Sequence, residues 1–217
     1  MSNQTSFFKA FLPYGLPFIV FALFTYLPGL VGIPDTIGYP LKTLVTLGTL
    51  AYFWKTFKGE IRPNWDLSSI MAGVLVYIIW VGLEGKYTHI GPPSEYNPWE
   101  ITQGAGIYVL LTFRLAGAAL VVPVMEELFW RSFALRFLIR ENFKKVPLGT
   151  FSWFAFIGTS VAFGLEHNRW LPGILAGMIY ALVLFQKKNL FAPILAHGVT
   201  NFFLGIHVIV RQEWGYW

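Results

Sequence analysis

The chain has 217 residues, of which 55% are hydrophobic, 18% aromatic and 12% charged, with a formal net charge of +5 and no cysteine. Soluble globular domains carry about a quarter charged residues, so a soluble enzyme, a disordered chain and a disulfide-stapled secreted module are all excluded. What remains is an integral membrane protein, read as one polytopic domain over residues 1–217.

Residues 10–34 carry no charge over 25 positions, enough to cross a hydrocarbon core of about 30 Å at about 1.5 Å per residue. Pro13, Pro17 and Pro28 predict a kink. The stretch is too long for the apolar region of a cleaved signal, and no small-x-small site follows it, so it reads as a retained span. Further apolar stretches cover residues 41–57, 67–83, 104 to about 140, 148–166, 170–186 and 189–210. The fourth contains Pro123 and is too long for one simple crossing. It is either a single tilted, kinked helix or a span followed by a second membrane-embedded helix. The expected fold is an all-α integral membrane protein, a bundle of seven to eight transmembrane helices around a polar intramembrane cavity.

Three loops are basic, with Lys55, Lys58 and Arg62 in one, Arg136, Arg140, Lys144 and Lys145 in the next, and Lys187 with Lys188 in the last. They alternate with loops at 32–40 and 84–103, which hold Asp35, Glu84, Lys86, Glu95 and Glu100. The excess of Lys and Arg places the basic loops in the cytoplasm, leaving the 168–171 turn outside with Arg169 as its one dissenting charge. Anionic lipid is the partner such loops suit; scattered basic residues do not suit nucleic acid. The expected location is a bacterial plasma membrane, crossed many times.

An ionisable residue inside a span is costly unless it is paired or lines a wet cavity, so each is a functional candidate. Arg114, Glu126, Glu127, Arg131, Glu166, His167 and His197 qualify, with Asn201 as a neutral companion. Glu127 and Arg131 are four apart, on one helix face in the favourable acid-before-base order. Glu126 is turned about 100° away and has no basic partner within a turn. A carboxylate without a partner in low dielectric is suited to act as a general base for water. His197 and Asn201 also share a face and can both donate, as an oxyanion hole requires. His167, on another segment, could share a proton with Glu126. Glu166 falls on a different face from His167, which suits an interfacial or supporting place. Arg114 has three candidate partners, a lipid phosphate, a cavity carboxylate or a substrate carboxylate, and the sequence does not choose among them. Phe129, Trp130, Phe133 and Phe137 read as packing or lipid-facing residues, and His89 and His207 receive no role.

Glu126-Glu127-x-x-x-Arg131, Phe163-x-x-x-His167 and His197-x-x-x-Asn201, in this order on three segments, resemble the signature of the CAAX protease and bacteriocin-processing family. These are the type II CAAX prenyl endopeptidases and their bacterial relatives. The resemblance covers about residues 104–205. It implies an eight-helix intramembrane endopeptidase in which Glu126 activates water with help from His167, His197 and Asn201 form the oxyanion hole, and Glu127, Arg131 and Phe163 support the site. The implied substrate is a membrane-associated or C-terminally tagged protein or peptide, lipid-modified in the eukaryotic members.

Glu and His are legitimate zinc ligands. If a metal is used, the ligands are expected to be Glu126, His167 and His197. No His-Glu-x-x-His is present, and Arg131 makes Glu127 a poor ligand, so a metal-free glutamate mechanism is preferred. Two rivals keep the same residues in other roles. A catalytically silent binding or immunity protein would hold them for stability, and a small carrier would use them as ion sites. The chain shows no repeated halves and no matching pair of broken helices for the latter.

Overall fold

The computed structural model describes residues 2–91 and 96–217, with side chains from Phe7 onward. Glu95, one of the acids of the 84–103 loop, lies outside the described residues. Eight helices follow in chain order: α1 (Ser2–Leu30), α2 (Asp35–Phe57), α3 (Leu67–Gly82), the four-residue α4 (Pro98–Ile101), α5 (Ala105–Ile139), α6 (Trp153–Leu165), α7 (Trp170–Lys187) and α8 (Phe191–Arg211). No strand occurs among the described residues. Within these helices, Phe7–Leu30, α5, α7 and α8 are long and apolar enough to cross a membrane, while α3 and α6 are apolar but shorter. The protein is an all-α membrane protein.

The ends of these helices follow from local chemistry. Asp66 caps α3 by accepting from the Ser69 amide at 3.0 Å and the Ser69 hydroxyl at 2.7 Å, and it pairs with Lys187 Nζ at 2.9 Å. Asn97 caps α4, where Pro98 occupies the first turn and has no amide proton to leave unpaired. Helix α7 ends on Lys188 in the left-handed conformation, φ 51°.

The long stretch resolves as one helix, not two. Its 35 residues correspond to about 52 Å at α-helical rise, and two π-helical stretches interrupt it, Gly117–Val121 and Leu128–Ala134. They lie immediately before and immediately after the short α segment that carries Glu126 and Glu127. In the first, the Val122 amide donates to Gly117, five residues back. The Ala118 carbonyl therefore loses its α-helical donor, and its π-helical donor would be residue 123, a proline without an N–H. Asn201 Nδ2 donates to that carbonyl at 2.9 Å. Sequence periodicity, π register and tertiary contact are linked at this one oxygen.

Helix α8 packs between α3 and the first π stretch of α5. Gly198 permits the approach to α5, because a Cβ there would lie 2.8 Å from the Ala119 carbonyl oxygen. Helices α6 and α7 form an antiparallel pair and approach closely where Gly173 lies against Gly164 and Gly177 against Ser160. Near the basic loops, Tyr14, Phe57, Leu128, Phe133 and Phe143 form a buried core. Beside it, Glu60 accepts from Tyr14 at 3.1 Å and Arg136 at 2.9 Å, and from the Ser132 hydroxyl. At the opposite end, Arg169 grips both oxygens of Glu84 at 2.7 and 2.8 Å.

Candidate active site

The polar residues of α5, α6 and α8 meet in a cavity of about 210 Å³. Glu126, His167, His197 and Asn201 all line it, with Phe163, Tyr180 and Trp80 among the walls. Glu127 and Arg131 do not line it. They lie behind it, where Glu127 is 0% and Arg131 2% exposed.

Glu127 organises the buried side. Its Oε2 is 3.0 Å from Arg131 Nε, and its Oε1 is 2.9 Å from His197 Nδ1. Arg131 also donates to the Gly177 carbonyl at 3.2 Å and lies 4.4 Å from the Phe163 ring centroid. Tyr180 stacks on His197 with ring centroids 4.8 Å apart and 18° between planes. Its hydroxyl donates to Thr200 at 2.8 Å, and Thr200 donates to the Gly73 carbonyl at 2.8 Å. The imidazole of His197 is therefore fixed by a carboxylate at one nitrogen and by a ring at its face. Its Nε2 is 3.8 Å from Glu126 Oε2.

Glu126 is buried, and its Oε2 has no hydrogen-bond partner. A buried carboxylate oxygen without a donor is an unfavourable arrangement that persists where a ligand or water is to be bound. His167 donates from Nδ1 to the Phe163 carbonyl at 2.8 Å. A carbonyl can only accept, so Nδ1 carries the proton and the neutral ring presents the Nε2 lone pair.

Glu166 departs from the expectation of a separate face. One ligand atom each of Glu126, Glu166 and His167 lies within 4.8 Å of the others, and Trp130 Nε1 donates to Glu166 Oε1 at 3.2 Å. The reason is that α6 ends at Leu165 and Glu166 is its cap residue, so the 100° rule for successive helical residues does not apply across it. The same geometry offers a second candidate metal set beside the expected Glu126, His167 and His197: Glu126, Glu166 and His167 converge, while His197, with Nδ1 on Glu127, keeps Nε2 facing Glu126. With ligand atoms this close, the trio fits a small divalent cation, and it includes the unpartnered Glu126 oxygen.

At its far end the cavity is lined by Tyr39, Arg114, Tyr216 and Trp217. Burial lifts the Tyr216 phenol to about 12, with Glu84 adding to the effect, so it is a neutral hydroxyl at ordinary pH. Of these four, Arg114 was already a candidate as an ionisable residue inside a span, whereas Tyr39, Tyr216 and Trp217 were not singled out from their positions in the chain. Tyr180 was also missed, although a phenol in the middle of an apolar span needs a partner and is a signal in itself. Phe129 packs on Phe18 at 4.3 Å, and His207 accepts or donates to Tyr77 and Glu213 at 3.1 Å each.

No curated protein and no solved structure matches the chain. Residues 108–203 match the family model described as "Type II CAAX prenyl endopeptidase Rce1-like". The match contains both glutamates, Arg131, both cavity histidines and Asn201, and over this segment the chain is similar to the CAAX-type membrane protease family.

Proposed function

We propose that the protein is an intramembrane endopeptidase that hydrolyses a peptide bond with water activated by Glu126. The observation that carries this reading is the buried, unpartnered Oε2 of Glu126 in a cavity it shares with two histidines and an asparagine. In the proposed reaction Glu126 takes a proton as the water oxygen attacks the carbonyl carbon. The Nε2 lone pair of His167 holds and returns that proton to the departing amine. Asn201, with one N–H committed to Ala118, offers its second N–H to the developing oxyanion. His197 joins it as a donor from Nε2 when both ring nitrogens are protonated, since Nδ1 faces Glu127. Glu127 and Arg131 position that ring.

Glu126, Glu166 and His167 would hold a zinc ion if one is used. Bound there, it would supply Lewis-acid polarisation and a more acidic water. The substrate is a peptide or protein segment presented from the membrane, and a lipid-modified one is compatible with the apolar walls. With the basic loops in the cytoplasm, the cavity opens toward the opposite face, where Glu84, Arg169 and Tyr216 lie.

The test is cleavage of membrane-anchored and farnesylated C-terminal peptides in detergent, read by mass spectrometry. Glu126→Ala should reduce turnover by about 10²–10⁴-fold, the range of a lost general base, with the helical spectrum retained. Undiminished cleavage by Glu126→Ala would overturn the assignment of the base. Activity that survives exhaustive chelation supports the metal-free route, and a full loss restored by zinc would reverse it. No cleavage of any peptide would leave a silent binding protein.

A further inference from the structure

Of the residues that line the Glu126 cavity, all but His167, Tyr216 and Trp217 stand in helices α1–α3 and α5–α8. His167 is held by the Phe163 carbonyl. The other two belong to the segment 213–217, which follows α8. Gln212, at φ 59°, ends that helix in the left-handed conformation, and the chain continues through Glu213 and a single 3₁₀ turn, Trp214–Tyr216, to Trp217. Trp214 anchors the segment: it is buried, with its ring 5.1 Å from that of Trp99 in α4. Gly215 comes next, with open space where a Cβ would stand, which suits a hinge. Beyond it, Tyr216 and Trp217 form the outer wall of the cavity.

Few contacts hold that wall shut. Among the described residues, the polar ties between this segment and the bundle are two. Arg169 Nη1 donates to the Gly215 carbonyl at 2.7 Å, with its guanidinium 4.2 Å from the Tyr216 ring centroid. Glu213 meets His207 Nε2 at 3.1 Å on the exposed surface. The first tie is a charge-assisted bond between a guanidinium and a backbone oxygen, the stronger kind where it is shielded from water. Arg169 does not itself line the cavity, and Glu84 fixes it through Nε and Nη2 at 2.7 and 2.8 Å. One guanidinium therefore joins the loop after α3, the α6–α7 turn and the segment after α8.

The cavity is closed as it stands. Its volume of about 210 Å³ is below the roughly 300–1,000 Å³ that drug-sized ligands occupy, and a peptide segment is larger still. Part of the wall must move before a peptide bond can reach Glu126. Packed helices open at greater cost than a short segment with few buried contacts. We infer that residues 215–217 are a lid over the Glu126 cavity, latched by Arg169, and that a substrate peptide enters when the lid swings aside. The nature of the entering peptide rests on the endopeptidase reading. A state that binds only when open has its apparent affinity reduced by the open fraction, so releasing the latch should change access and affinity by a similar factor.

The chain has no cysteine, so Val122→Cys, at a cavity-lining position one turn before Glu126, makes a single reporter. Its modification by 2-(trimethylammonium)ethyl methanethiosulfonate is timed by mass spectrometry on the full chain in detergent. Adding Arg169→Gln should speed modification at least about tenfold, the weight of one charge-assisted hydrogen bond. Tyr216→Ala with Trp217→Ala removes the wall itself and should speed it likewise, which keeps the test open should Arg169→Gln fail to fold. In a separate Glu126→Gln background, where binding is measured without cleavage, Arg169→Gln should tighten a fluorescent membrane-anchored peptide by a similar factor in anisotropy. Unchanged modification rates in the variants that fold overturn the lid. Faster modification without tighter peptide binding overturns it as the route of substrate entry. Faster modification and tighter binding in a protein whose wild type cleaves no peptide would sink the peptidase reading and leave the lid. Cleavage by the wild type with unchanged modification rates would do the reverse.

Discussion

Asn201→Leu tests the link between the π-helical stretch, Pro123 and the cavity. Leucine keeps the branched side-chain shape and removes the donor on the Ala118 carbonyl. An unpaired buried carbonyl costs about 1–3 kcal/mol. For a chain of this size, about 2–4 °C of melting temperature accompanies each kcal/mol, so the expected loss is about 2–12 °C. The decisive step is to repeat the substitution in a Pro123→Ala background. Alanine restores an N–H five residues beyond Ala118, the donor the π register requires. The loss should then shrink by about 1 kcal/mol, a coupling well above the scatter of independent sites. Thermal unfolding in detergent, followed by the fluorescence of the nine tryptophans, reads all four proteins. Additive effects, within about 0.5 kcal/mol, would refute the argument that Pro123 and the register orphan this carbonyl.

Arg131→Met should destabilise the protein by about 3–5 kcal/mol, the cost of breaking a buried pair from one side, and Glu127→Gln in addition should recover part of it; a double variant no more stable than Arg131→Met in the same unfolding assay would mean the pair is not what holds Glu127. Gly198→Ala should cost about 1–3 kcal/mol through overpacking, because its Cβ would lie 2.8 Å from a backbone oxygen of α5, and unchanged stability would show that α8 can move freely at this point. Burial of Asp66 opposes ionisation, but donors from Ser68, Lys187 and Ser69 outweigh it and hold its carboxyl well below the usual range. Asp66 therefore contributes stability that is complete above the ordinary aspartate value of about 3.9 and is lost as pH falls below it. Asp66→Ala should cost about 1 kcal/mol at neutral pH as a lost helix cap, and a wild-type advantage that persists undiminished at the acid end of a pH series of melting curves would contradict this.

Composition and uncharged run lengths determine the class of this protein, since 55% apolar residues and 12% charge leave only a lipid-embedded bundle. The positions of the long helices were legible for the same reason: a span must be apolar over a length fixed by the bilayer. Glu127–Arg131 was legible because both partners lie within one turn, where helical geometry dictates proximity. The unpartnered state of Glu126 was legible only as a lack of local partners. That no distant side chain would satisfy its Oε2 became evident when α5, α6 and α8 were packed together.

The rest was decided by tertiary structure, because it depends on groups far apart in the chain. Glu127 Oε1 meets His197 Nδ1 across 70 residues, and no periodicity within one helix encodes that meeting. Glu166 joins Glu126 and His167 because α6 ends one residue before it, so the turn directs the side chain where a continued helix would not. The π register of α5 was equally hidden. Pro123 announces a missing amide, but which carbonyl it leaves bare depends on the register, and which side chain fills it depends on how closely Gly198 lets α8 approach. Arg114 marks the same boundary: its place in an apolar run shows that it needs a partner, and only the closed bundle shows the aromatic walls around it.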